Sequence, residues 1–173
     1  MNKQVIFLEG PIGSGKTTLG KALAARLSGH FIDGDDQSDP KRPWYASIRS
    51  TSQGIVRATL EALKTHSVVV IAYPLRRRQW FFFQRTLCIA GISSHCISLR
   101  AAYIAIVATQ RQRDFSAGEH LRIQTMIAEG YGQRPFSDLI VNTDQADFAT
   151  TLASLEGKVR ELIAGGIDSS TSA

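Results

Sequence analysis

The chain has 173 residues, 43% of them hydrophobic and 20% charged, with a formal net charge of +5. That length accommodates one domain with a sizeable core and a small inserted lobe, and its apolar runs fall far short of a membrane span, so no membrane partner is expected. The basic excess lies in local clusters, Arg76, Arg77, Arg78 and Arg85 in one and Arg111 and Arg113 in another. No long basic surface studded with aromatics emerges, so no nucleic-acid partner is expected, and such arginines serve a pocket for anionic phosphates equally well.

In chain order, the apolar run over Gln4 to Glu9 predicts a short strand buried in the middle of a sheet. Because MNKQVIFLEG leads straight into this strand and the loop after it, a cleaved export signal would destroy that loop, and a cytoplasmic location is expected. The loop reads GPIGSGKTT from Gly10 to Thr18, the full G-x-x-x-x-G-K-[ST] spacing, at the junction with a predicted helix that begins near Lys16. Gly10, Gly13 and Gly15 let the backbone turn so that successive N–H groups converge, and the helix aims its first free N–H groups at the same spot. Pro11, Ile12, Ser14 and Thr18 belong to the same socket. Lys16 brings a positive charge to the outer phosphates of a nucleoside triphosphate, and Thr17 offers an oxygen to its magnesium, so ATP and Mg2+ are the expected cofactors.

FID at 31–33 predicts a second strand, and the segment from Phe31 to Gly54 predicts that strand followed by an inserted substrate-binding region, about 36–62 in all, with helical periodicity from Gly54 to Lys64. Asp33 and Asp35 flank Gly34 at the strand's carboxyl end, so both reach the phosphate site from one side. Phosphoryl transfer to an alcohol asks for alignment, charge neutralisation and a place for the hydroxyl proton. Asp35 suits the acceptor hydroxyl and Asp33 the magnesium through water, with the two roles interchangeable. Trp44 forms an apolar wall in the inserted region or holds it together, and Arg49 is a weaker candidate for an anionic acceptor.

SVVVIAY at 67–73 predicts a buried strand with Arg76 to Arg78 beyond its end, where at least one arginine is placed to meet substrate. A helix is predicted over 79–90, and since Trp80, Phe81, Phe82 and Phe83 cannot share one face, they cover both a core and an adjoining element or a partner surface. Monomer and homodimer both remain open. Residues 95–100 predict a strand and 101–109 a helix. The polar stretch from Arg111 predicts a lid at about 110–119 in which Arg111 and Arg113 fold over the triphosphate, with Arg113 counted beside Lys16, Asp33 and Asp35 in the catalytic set. A helix over 119–129, a strand within 137–144, a closing helix over 148–163 and a disordered tail over 165–173 complete the chain. Asn142, at the end of the last strand, is placed to border the nucleoside base, and Asp144 to cap the next helix. Cys88 and Cys96 lack metal-ligand spacing and are expected to be buried free thiols, and no histidine has ligand spacing.

Strands alternating with helices predict an α/β fold, a P-loop three-layer sandwich with a mostly parallel five-stranded sheet and helices on both faces, forming a single domain over 1–164. From Val5 to Ile163 the chain resembles the small P-loop kinases that include gluconate kinase, shikimate kinase and adenylylsulfate kinase. The resemblance rests on GPIGSGKTT, DGD and RQRDF. It implies transfer of the terminal phosphate of MgATP to a hydroxyl of a small, polar, anionic molecule, and carries over most directly to Lys16, Thr17, Asp33 and Asp35. PKRPW at 40–44 and AYPLRRR at 72–78 are similar to gluconate kinase elements, although Pro40 and Lys41 stand where that family has an Asp-Arg pair and Ala72-Tyr73 replaces Ser-Ala. Shikimate kinases have a glycine triplet where this chain has AYP, and their carboxylate-binding arginine has a counterpart in Arg49 or Arg57. The competing expectations are a nucleoside or nucleotide kinase, an antibiotic phosphotransferase and a non-catalytic nucleotide switch.

Overall fold

A computed structural model describes residues 2–39, 41, 44–108 and 114–168, with the side chains of 44–46 and 166–168 left aside. Its elements are β1 (Gln4–Glu9), α1 (Lys16–Arg26), β2 (His30–Asp33), α2 (Trp44–Ala62), β3 (Val68–Ala72), α3 (Arg77–Ile89), β4 (Ser93–Arg100), α4 (Tyr103–Val107), α5 (Ala117–Ala128), β5 (Leu139–Asn142) and α6 (Phe148–Asp168). The five strands form one sheet in the order β2-β3-β1-β4-β5, and every pairing is parallel.

All six residues of β1 are buried, because the strand lies between β3 and β4 and both of its faces are covered. Alternation divides its side chains between two cores. Val5 and Phe7 join Ile55 and Leu63 of the α2 side and Trp80, Phe83 and Leu87 of α3. Ile6 and Leu8 face the other way, against Leu19 and Leu23 of α1 and Leu152, Leu155 and Val159 of α6. Each such side chain contributes about 1.5–3 kcal/mol through burial. The result is the expected three-layer sandwich. Among the described residues, no helix is long and apolar enough to cross a membrane.

The differences from expectation have physical causes. The inserted region is helical from Trp44 onward, because its serines and threonines bond back to their own helix. Ser52 Oγ donates to the Ile48 carbonyl at 2.8 Å and Thr59 Oγ1 to the Ile55 carbonyl at 2.7 Å, so these hydroxyls are satisfied without a loop. Residues 117–119, at the end of the segment expected as a lid, form the first turn of α5, held by a reciprocal cap between Ser116 and Glu119. The short helix after β4 ends at Val107. Residues 165–168, expected in the tail, continue α6, since extending a packed helix by another turn costs far less than starting one. Asp147, not Asp144, caps α6 by accepting from Thr150 N at 2.7 Å. Of the α3 aromatics, Trp80 and Phe83 enter the core while Phe81 and Phe82 face outward. Cys88 is exposed, lying one position past the inward Leu87; Cys96 is buried, and burial pushes its thiol far up.

Candidate active site

The glycine loop sits at the carboxyl end of the central strand, where β1 ends and α1 begins. Gly15, with φ 97°, is the N-cap of α1 and brings no side chain to the first turn's N–H groups. Gly13 has φ 78°, and a Cβ there would lie 2.6 Å from Ile106 Cγ2 of α4 and 3.1 Å from the Phe115 ring. The loop is thus pressed from outside by α4 and by the segment leading into α5, on either side of residues 109–113. Thr143 Oγ1 steadies it from below by donating to the Ser14 carbonyl at 2.9 Å. Lys16 Nζ lies over the loop, donating to the Gly10 and Pro11 carbonyls at 2.8 Å each. Ser14 Oγ is buried with no hydrogen-bond partner among the described residues, a polar atom in a socket otherwise shaped by backbone. This donor set fits a polyphosphate.

Beside the loop, Thr17 Oγ1 donates to Asp33 Oδ2 at 3.1 Å, and Asp33 Oδ1 accepts from Asp35 N at 3.2 Å. A hydroxyl and a carboxylate are hard oxygen ligands, and two protein oxygens suit magnesium, which keeps most of its waters and uses phosphate oxygens for the rest. Asp33 caps the single 3-10 turn of Gly34–Gln37, and that turn brings Asp35 round to the next cavity. Gly34 is buried against Tyr73, and a Cβ at Gly34 would come within 2.4 Å of that ring. Only glycine lets the turn approach so closely.

Asp35 opens into a cavity of about 320 Å³ bounded by Thr51 of α2, Tyr73 and Arg76 beyond β3, Arg122 of α5 and Tyr131 after it. Burial, and secondarily the charge of Asp33, push the Asp35 carboxyl above its usual range against the pull of Lys16. Arg76 Nε donates to Tyr131 Oη at 3.1 Å, and Tyr73 Oη accepts from Gln79 Nε2 at 3.3 Å, so both aromatic walls are fixed by hydrogen bonds. The cavity is therefore lined by two arginines and by two carboxylates, Asp35 and Asp39.

Behind the loop, Glu9 is fully buried. Its Oε1 accepts from Ser98 Oγ and from Gly132 N, the latter at 2.9 Å, and Arg134 Nε stands 3.8 Å from Oε2. Arg134 also lies over the Tyr131 ring at 3.7 Å and donates to the Glu129 carbonyl at 2.7 Å. It therefore anchors the end of α5 rather than reaching toward the loop's phosphate face. Burial raises the Glu9 carboxyl despite these partners.

Lys16, Thr17, Asp33 and Asp35 thus converge, with Gly10 to Thr18 around them. Arg111 and Arg113, together with Pro40 and the Trp44 side chain, lie outside the described residues. Asn142 is exposed at the end of β5, and its neighbour Thr143 is the residue that touches the loop. Arg49 and Arg57 are exposed and do not line the cavity. Sequence reasoning missed Glu9, Arg122, Tyr131 and the packing role of Tyr73. A carboxylate ending an otherwise apolar buried strand was the available signal for Glu9; a single arginine in EHLRIQ offered none for Arg122.

No protein-family profile matches the chain. A gluconokinase from Sinorhizobium meliloti superposes with TM-score 0.57 at 19% identity, over 93% of this chain and 97% of the other. A shikimate kinase from Bacteroides thetaiotaomicron gives 0.57 at 21%, over 92% and 98%. The APS kinase of Mycobacterium tuberculosis, in complex with AMPPNP and APS, gives 0.56 at 15%, over 94% and 98%. The chain has the fold of the small P-loop kinases. In sequence, the shikimate kinase of Francisella philomiragia is 56% identical over 36 residues, a match that spans 21% of this chain and only 20% of that relative. The P-loop kinase fold is thus common to neighbours named for different acceptors.

Proposed function

We propose that the protein is an ATP-dependent small-molecule kinase whose acceptor carries a hydroxyl and an anionic group. The observation that carries this reading is the contact between Thr17 and Asp33 at the mouth of the loop, with Asp35 one turn away at the adjoining cavity. Bound MgATP would supply the transferable terminal phosphoryl group, with Thr17 and Asp33 holding the metal. The backbone from Gly10 to Gly15 and Lys16 grip the phosphates and neutralise their charge. Asp35 accepts or orients the acceptor's hydroxyl proton, a role suited to a carboxyl whose affinity for protons is raised by burial. Arg76 and Arg122 face an anionic group on the acceptor and turn its hydroxyl toward the loop. Arg111 and Arg113 close over the triphosphate from the segment between α4 and α5, and Asn142 borders the base.

The experiment is an ATP-dependent phosphorylation screen over sugar acids, cyclic polyols, nucleosides and hydroxylated antibiotics, reading phosphorylated product by mass. A single anionic class phosphorylated with a Michaelis constant of about 1 μM to 1 mM supports the reading. ATP binding without product from any class counts against it, and a preferred uncharged acceptor removes the role given to Arg76 and Arg122.

A further inference from the structure

A second and larger cavity, about 620 Å³, lies between the start of α3 and the turn after α5, lined by Arg77, Phe81, Glu129, Gln133, Arg134 and Phe136 among others. It does not include the phosphate loop or Asp35. We propose that this cavity is a separate binding site for a small planar aromatic anion, an aryl carboxylate or its like.

The walls supply the aromatic half of this preference. Phe136 is stacked on Trp80 at an interplanar angle of 12°, and Trp80 is itself buried in the core, so the Phe136 ring is held as a fixed flat wall. Phe81, half exposed, forms another wall, with the Arg77 guanidinium 5.4 Å from its ring centre. A flat ring entering this space covers apolar surface that the chain otherwise leaves to water, at little cost in ordering the walls.

The charges supply the other half. Two guanidinium groups and one carboxylate line the cavity. The carboxylate, Glu129, is directed to Arg76 at 4.0 Å on the acceptor side. Arg134 is committed to Glu9, Tyr131 and the Glu129 carbonyl. Arg77 forms no ion pair with a carboxylate among the described residues, and its planar fork matches a carboxylate's two oxygens. An anionic group therefore meets Arg77, while the ring rests between Phe81 and Phe136. The size agrees with ordinary small-ligand sites.

The test is calorimetric titration of the full-length protein, without nucleotide, with 1-naphthoate and with its neutral counterpart 1-naphthamide. Because no phosphoryl transfer is measured, the outcome is independent of the proposed kinase activity. Saturable naphthoate binding is expected, with naphthamide weaker by about tenfold or more, the loss typical of one charge-assisted contact. Arg77→Gln should erase that preference, and Phe81→Ala should weaken both ligands about three- to tenfold. Phe82→Ala, on the same helix but outside the cavity, should bind as the parent does. Arg77 and Phe81 are exposed enough to be changed without opening the core, and an unchanged circular dichroism spectrum verifies this for each variant. No saturation by naphthoate, equal binding of the two ligands, or wild-type affinity in both Arg77→Gln and Phe81→Ala overturns the proposal.

Discussion

The glycine loop and the cavity beside Asp35 are built in opposite ways. The first is a contiguous stretch from Gly10 to Thr17 in which backbone shape does most of the positioning, wedged between α4, the end of β5 and a fully buried carboxylate. The second is assembled from side chains of four separate segments, Asp35, Thr51, Arg76 and Arg122, around a cavity open to solvent. A backbone socket tolerates change around it but fixes one chemistry, whereas a cavity made of side chains can change its ligand by single substitutions while the fold stays intact. The fold is shared by neighbours named as a gluconokinase, a shikimate kinase and an APS kinase.

The contrast can be tested from both sides. The largest expected effect is for Asp35→Asn, which leaves nucleotide affinity near that of the parent and lowers turnover about 10²- to 10⁴-fold. In the parent, activity should fall as pH drops through the raised pKa of Asp35, so the acid limb lies above the ordinary value of 3.8; steady-state kinetics against pH read both points. Near-normal turnover in Asp35→Asn, with the correct acceptor, would sink its assignment.

Glu9→Ala leaves the Arg134 guanidinium without its buried partner and should cost about 3–5 kcal/mol of stability, read by urea denaturation. Burial raises the Glu9 pKa above 4.5, so the unfolded chain releases this proton first. Its contribution to stability is therefore fully present below pH 4.5 and is lost as pH climbs through the folded-state pKa. Glu9→Gln should flatten that slope, and an unchanged slope would remove Glu9 as its source.

Arg122→Ala should raise the acceptor's Michaelis constant about ten- to a hundredfold while the constant for ATP stays put. Equal effects on both substrates would mean that the two halves are not separable. The smallest effect is expected for Thr143→Val, which removes one hydrogen bond to the loop and should weaken ADP binding by about 0.5–1.5 kcal/mol in a titration.

How much was legible in the sequence follows the same division. The loop and its flanking strand and helix were readable because their signal is local: a fixed spacing of Gly10, Gly15, Lys16 and Thr17 after an apolar run. The approach of Asp33 to the loop was also readable, since a strand end beside the loop is a matter of topology. The start of α2 was not readable, because Ser50, Thr51 and Ser52 resemble a loop until their hydroxyls are seen bonded within the helix or across to Ser38. Arg122 and Tyr131 were not readable either. They reach the cavity only through the way α5 and the turn after it sit over the sheet, and nothing in their immediate neighbours encodes that. Arg49, the weaker candidate in the inserted region for an anionic acceptor, is exposed.

The strand order carries a further consequence for how the chain is made. β1 emerges from the ribosome before both of its neighbours, β3 and β4, with which it pairs Val5 to Val69 and Ile6 to His95. Until those residues have been synthesised, a strand that is buried along its whole length in the finished fold has no edge to join, and the loop that follows it has no wall to lean on. Closing such long stretches of chain slows folding and prolongs exposure of sticky segments. A nascent chain halted before residue 68 thus carries the complete glycine-loop motif without either of the strands that flank β1.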